Sequence, residues 1–193
     1  MKASFHFTRL NRLYTVGMAD QETRAQTVRA WLSTLARLIL GGALLLAGAL
    51  KVGDFPRQVL AVQAYEFPIS DQLVQIIAYA QPIVEIIVGL LILAGIATRW
   101  TGLLGGLAMV IFIAAIISAW SRGLNIDCGC FSKGGILAPG QATAYVEDLL
   151  RDTLFLICGV WLVIFPKSKL AVDSWIAKEP VDGEAEQSLD QTD

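Results

Sequence analysis

Four long apolar runs, at about 31–50, 73–97, 102–120 and 149–165, divide this chain into segments separated by short polar stretches. A helix needs roughly 20 apolar residues to cross the hydrocarbon core of a bilayer, with a range of about 17–25. All four runs reach that length, the fourth at its short end. They lack the alternation of a barrel strand, so helices are the element that satisfies their backbone in lipid. The pattern predicts an all-α polytopic membrane protein, a bundle of four transmembrane helices.

Small residues recur inside the runs: Gly41, Gly42 and Gly48; Gly89 and Gly95; Gly102, Gly105 and Gly106. In lipid, glycine lets helix backbones approach closely, which favours a tight bundle. Trp100, Trp120 and Trp161 lie toward run ends, where amphipathic rings prefer the interface. Composition agrees: the 193 residues are 55% hydrophobic and 17% charged, against about 25% charged in soluble domains. Lysines and arginines are few and scattered, which argues against nucleic-acid binding.

Charge divides the chain into three parts. Residues 1–30 read as a polar cytoplasmic tail with no apolar run leading to a cleavage site, so no cleaved signal peptide is expected. Either Met1 or Met18 can serve as the start. Residues 31–166 form the membrane domain, and residues 167–193 read as a disordered acidic cytoplasmic tail. Lys2, Arg9, Arg12, Arg24, Arg29, Arg37, Arg99, Lys167, Lys169 and Lys178 flank one side of the predicted bundle. Lys51, Arg57, Arg122 and Lys133 flank the other. The positive-inside rule places both termini in the cytoplasm of a cell-membrane protein, with the loop between the third and fourth spans outside.

That loop carries Asn125-Ile126-Asp127-Cys128-Gly129-Cys130-Phe131. A thiolate attacks disulfides, and a second thiol nearby resolves the mixed disulfide. Cys128 and Cys130 can close on each other only through an unusual turn, which glycine permits. A strained ring of that kind is easily reduced, and an outward loop lies where disulfides persist. Three plainer readings compete: a static staple, a soft-metal site or an inert pair. A staple spanning one residue removes little chain entropy, and no further ligands lie nearby for a metal. The single histidine, His6, is far from every cysteine, which argues against a zinc site or a histidine base in the membrane. Cys158, among Leu156, Ile157 and Val160, reads as a small core hydrophobe.

Glu85 lies mid-way along the second run, where a charge costs about 2.5–3.5 kcal/mol. Gln81, Glu85 and Gly89 share a helical face, with Pro82 freeing a carbonyl beside them. The face is expected to turn inward, with Glu85 either a proton carrier or interhelical hydrogen-bonding glue. Arg37 and Lys51, near opposite ends of the first span, read as snorkelling cations, with Asp54 at a helix stop. In the functional alternative, Lys51, Asp54, Tyr65 and Glu85 line a polar cavity below the cysteine loop. Glu147, Asp148, Arg151 and Asp152 form a charged collar that helix capping explains.

Taken together, Arg37-Leu38, Gly41, Ala47-Gly48, Lys51, Asp54, Tyr65, Glu85, Gly89, Gly95, Asp127-Cys128-Gly129-Cys130-Phe131 and Arg151-Asp152 resemble the MauE/DoxX group. These are small four-helix, redox-associated membrane proteins, and the resemblance covers about residues 31–166. The family pattern continues with glycine where Ser132 stands. The resemblance implies disulfide formation or transfer at the outer face, alongside a thioredoxin-like partner. It does not identify methylamine metabolism as the pathway. The expected activity is thiol–disulfide exchange by Cys128 and Cys130 with an exported thiol protein. A quinone between the helices is the candidate acceptor, with Glu85 as its proton relay. The alternative is a non-enzymatic assembly factor whose cysteines stabilise a docking loop. A transporter fits less well, because four spans without repeats leave little room for alternating access.

Overall fold

A computed structural model describes residues 3–129, 131, 134–138, 140–168 and 171–173, with side chains from Arg24 onward. Among these residues are five helices, α1 (Ala3–Val52), α2 (Phe55–Gln63), α3 (Asp71–Ala94), α4 (Thr98–Ser121) and α5 (Tyr145–Ile164). A two-stranded hairpin, β1 (Ile126–Asp127) with β2 (Gly135–Ile136), precedes α5. Three helices are long and apolar enough to cross a membrane: α1 from Arg24 onward, α3 and α4. The apolar length of α5 is interrupted by Glu147, Asp148, Arg151 and Asp152 in its first two turns.

The long helices pack antiparallel through two glycine seams. Between α1 and α3, a Cβ on Gly41 would fall 3.0 Å from the Gly89 carbonyl oxygen. One on Gly48 would fall 2.7 Å from that of Pro82. Between α4 and α5, a Cβ on Gly159 would fall 2.9 Å from Gly106 Cα. Such contacts bring backbones into dispersion range where lipid offers no hydrophobic drive. Gly42 takes no part, having open space around it. Gly95 acts differently, closing the last turn of α3 at φ +70 in the left-handed region. Leu40, Leu44, Val88, Ile92, Met109, Cys158 and Leu162 fill the core between the seams.

Arg37 is no snorkelling cation. It is 3% exposed and donates from Nε to the Ile92 carbonyl at 2.9 Å and from Nη1 to Ser168 Oγ at 2.8 Å. A third donation reaches the Leu93 carbonyl. The guanidinium thus binds carbonyls of the last turn at the negative end of α3, where helix geometry and dipole favour a cation. The reading of 167–193 as a disordered tail also needs correction at its start. Ser168 and Ala171 are buried, and Asp173 accepts from the Ala97 and Thr98 amides at 2.9 Å each. Ala97, the N-cap residue of α4, has no side-chain oxygen, so a residue 75 or more positions later supplies the cap. The acidic residues beyond 173 lie outside the described residues, as do Lys169 and Lys178.

Candidate functional site

Where a loop was expected after the first span, α2 folds back over the opposite end of the helices. Asp54 starts it by accepting from the Arg57 amide at 3.2 Å, with Pro56 in the first turn, where a missing N–H is harmless. Its inner face carries Gln58, Ala61 and Val62. The cysteine loop rests on that helix: a Cβ on Gly134 would fall 2.9 Å from Ala61 Cβ. Gly129 has φ +74 and passes so near Gly134 that a Cβ would fall 3.0 Å from its Cα. Both the left-handed backbone and the crowding require glycine there.

Three hydrogen bonds position the Cys128 segment. Asp127 Oδ1 accepts from the Gly129 amide at 3.1 Å, making an Asx turn. The Tyr65 hydroxyl donates to the Cys128 carbonyl at 3.3 Å, and the Tyr145 hydroxyl donates to the Leu124 carbonyl at 2.7 Å. The Cys128 thiol is half-buried, and Arg151 Nη2 lies 3.7 Å from its sulfur. Cys130 lies outside the described residues, as do Ser132 and Lys133.

Lys51 does not snorkel either. It is 7% exposed and binds both oxygens of Glu85, itself 3% exposed, at 2.8 and 3.0 Å. Gln81 Nε2 donates to Glu85 Oε1 at 3.1 Å, and Gln58 Nε2 lies 3.4 Å from Gln81 Oε1. A buried ion pair of this kind is costly to desolvate and relies on further hydrogen bonds, of which Gln81 supplies one to Glu85 and is itself held by Gln58.

Lys51, Gln58 and Gln81 face a cavity of about 420 Å³ that also presents Tyr65 and Cys128. Most of its wall is apolar, with Ile77, Ile111, Phe112 and Ile116 from α3 and α4. Ile77 and Ile111 are exposed as well as lining the cavity, so it opens at the surface of α3 and α4. Its size and few convergent polar groups suit a small, largely apolar ligand.

Of the candidates named from sequence, Lys51, Tyr65 and Cys128 come together on this wall, with Glu85 directly behind Lys51. Asp54 does not join them. It is exposed and pairs with Arg57 at 3.1 Å, because capping α2 holds it at the surface. Two groups escaped sequence reasoning. Gln58 could have been found only by recognising α2 as an amphipathic helix. Arg151, read as part of a capping collar, pairs with Asp148 at 2.8 Å and Asp152 at 3.0 Å. It also lies over the Phe131 ring, 4.8 Å from its centroid. Its place beside Asp152 in the family-like pattern was the available signal.

The family model described as methylamine utilisation protein MauE matches residues 29–165, which include every element from the apolar part of α1 to the end of α5. No curated protein and no solved structure matches the chain.

Proposed function

The chain belongs to the MauE family, and from that premise we propose that it is an integral membrane thiol–disulfide redox protein with a four-helix transmembrane bundle. In this reading α5 is the fourth span, its charged first turns lying at the interface near the cysteine loop. Arg24, Arg29, Arg37, Arg99 and Lys167 belong to the opposite end, which supports cytoplasmic termini and an outward loop.

The observation that carries the proposal is the position of Cys128 on the wall of a mostly apolar cavity floored by Lys51, Gln58 and Gln81. A thiol there can meet a partner in the outer aqueous phase and an acceptor arriving from lipid. A reduced exported protein, thioredoxin-like or a client, gives two electrons and two protons to the Cys128–Cys130 disulfide. The partner leaves oxidised and the pair becomes a dithiol. A quinone fits the cavity in size and polarity, and when bound it supplies an acceptor for the two electrons and two protons that re-form the disulfide. Lys51, Gln58 and Gln81 orient the acceptor's polar edge, and Glu85 passes protons toward it. Arg151 Nη2 lies against the Cys128 sulfur, and Tyr65 holds the segment through its carbonyl.

The test is oxidation of a dithiol by a soluble short-chain quinone in purified, reconstituted protein. Cys128→Ser and Cys130→Ser are each expected to reduce the rate to the uncatalysed background. Wild-type rates in both variants would reject the proposal. The alternative is the scaffold reading, in which the cysteine loop docks a partner without redox turnover. A pair that stays oxidised throughout growth, with no mixed disulfide trapped, would select that reading.

A further inference from the structure

Behind the ion pair lies a second, much smaller void that the redox reading does not use. It measures about 10 Å³ and is lined by Glu85 from α3, Asp152 from α5, Met109 and Phe112 from α4, and Phe131 and Phe155. Apart from the two carboxyl groups its wall is apolar. Asp152 is 1% exposed. Its Oδ1 accepts from Arg151, but its Oδ2 has no hydrogen-bond partner among the described residues. An orphaned buried carboxyl oxygen is expensive, and a native fold rarely leaves one without water or a proton.

Charge counting points the same way. Two cations, Lys51 and Arg151, serve three carboxyls, Glu85, Asp148 and Asp152. Asp148 and Asp152 share one guanidinium. Among these five described groups, the ionised forms carry one more negative than positive charge, which a single added proton balances. The void has room for about one water, which needs at least two polar partners. Asp152 and Glu85 are the polar residues among those that line it.

We propose that the void between Asp152 and Glu85 holds one water, and that this water joins the two carboxyls into a pair sharing a single proton. Asp152 neighbours Arg151, which touches Cys128, while Glu85 touches Lys51 on the cavity wall. The pair thus forms a protonic link between the thiol and the acceptor cavity, in addition to the direct route across the cavity. Its role in turnover rests on the redox reading. The shared proton does not.

Infrared spectroscopy of the full-length protein in nanodiscs at neutral pH separates the two. The wild type is expected to show a protonated-carboxyl stretch that shifts in D2O. Asp152→Asn should abolish that band or move it, and Glu85→Gln should shift it. Cys128→Ser, which ends dithiol oxidation under the redox reading, should leave it in place. A second readout is the pH profile of dithiol oxidation by a short-chain quinone. Asp152→Asn should displace its limb, and Asp152→Glu should restore it. Absence of a protonated-carboxyl band in the wild type overturns the proposal. So does a band unmoved by Asp152→Asn, which would assign the proton elsewhere.

Discussion

Two cations on α1, Arg37 and Lys51, are buried to similar depth at opposite ends of the helix core, yet they meet different partners. Arg37 is held by backbone carbonyls at the end of α3 and by Ser168. These acceptors carry no net charge and cannot titrate. Lys51 is held by a carboxylate, with glutamines around it and a cavity in front. A cation on helix-end carbonyls fixes the fold. A cation on a buried carboxylate carries a substantial desolvation cost, and under the proposed function that site exchanges protons and polar ligands.

The largest expected effect comes from removing one member of the costly pair. Lys51→Met leaves Glu85 buried without a counter-charge, and stability should fall by about 3–5 kcal/mol. Adding Glu85→Gln should recover most of that loss, because the uncompensated charge is gone. Dithiol oxidation should remain defective in the double variant. Unfolding in mixed micelles measures the first effect and quinone-linked oxidation the second. Recovery of both would mean that the pair is structural, like Arg37.

Arg37→Leu sharpens the contrast from the other side. Carbonyls at the end of α3 lose charge-assisted donors, and hydrogen bonds to charged groups contribute about 1.5–3 kcal/mol. A loss of about 2–3 kcal/mol is therefore expected, with the oxidation rate per folded molecule unchanged. A fall in that rate would show that the two ends are coupled.

These contrasts also mark what could be read from the residues alone. The apolar runs that became α1, α3 and α4 are legible because lipid imposes length and composition on any spanning helix. Glu85 is legible because an isolated charge in such a run must turn inward, and Gly129 because its neighbours are thiols. Lys51 was legible only as one of two readings, a snorkelling cation or a cavity-lining group, since its partner lies 34 residues away and nothing local decides between them. The fold-back of α2 was hidden in a polar connection, because nine residues fall well short of the length that marks a spanning helix. Arg151 was hidden by a sound local explanation, since acids and bases at a helix start usually act on that helix. Its contact with Cys128 depends on where the hairpin lies, a property of tertiary packing.

A smaller effect is expected at the outer end. Tyr65→Phe removes the hydroxyl that donates to the Cys128 carbonyl. A single neutral hydrogen bond contributes about 0.5–1.5 kcal/mol, so global stability should change little. Amide exchange in the 126–129 segment should quicken, and dithiol oxidation should slow by a few-fold or less, about the factor that 1 kcal/mol allows. Unaltered exchange there would mean that the Asx turn and Tyr145 alone position the thiol.

The smallest effect belongs to Asp173, at the Arg37 end, and it appears as a pH dependence. Burial pushes the carboxyl upward, but donation from the Thr98 and Ala97 amides and the Thr98 hydroxyl, with the charge of Arg37, outweighs it and holds the group below the usual aspartate range. The stabilisation is therefore present in full above the unfolded value, near 3.9. It is lost as pH falls through the lower folded value. The gap in melting temperature between wild type and Asp173→Asn should be constant from neutral pH down to about pH 5 and then close below about pH 4. Amide exchange at Ala97 and Thr98 should quicken over the same range. A gap that stayed open in acid would mean that the aspartate acts there by shape alone. A gap that changed instead near neutral pH would point to a carboxyl with a raised rather than a lowered titration range, which hydrogen bonds from two helix-start amides are poorly placed to produce.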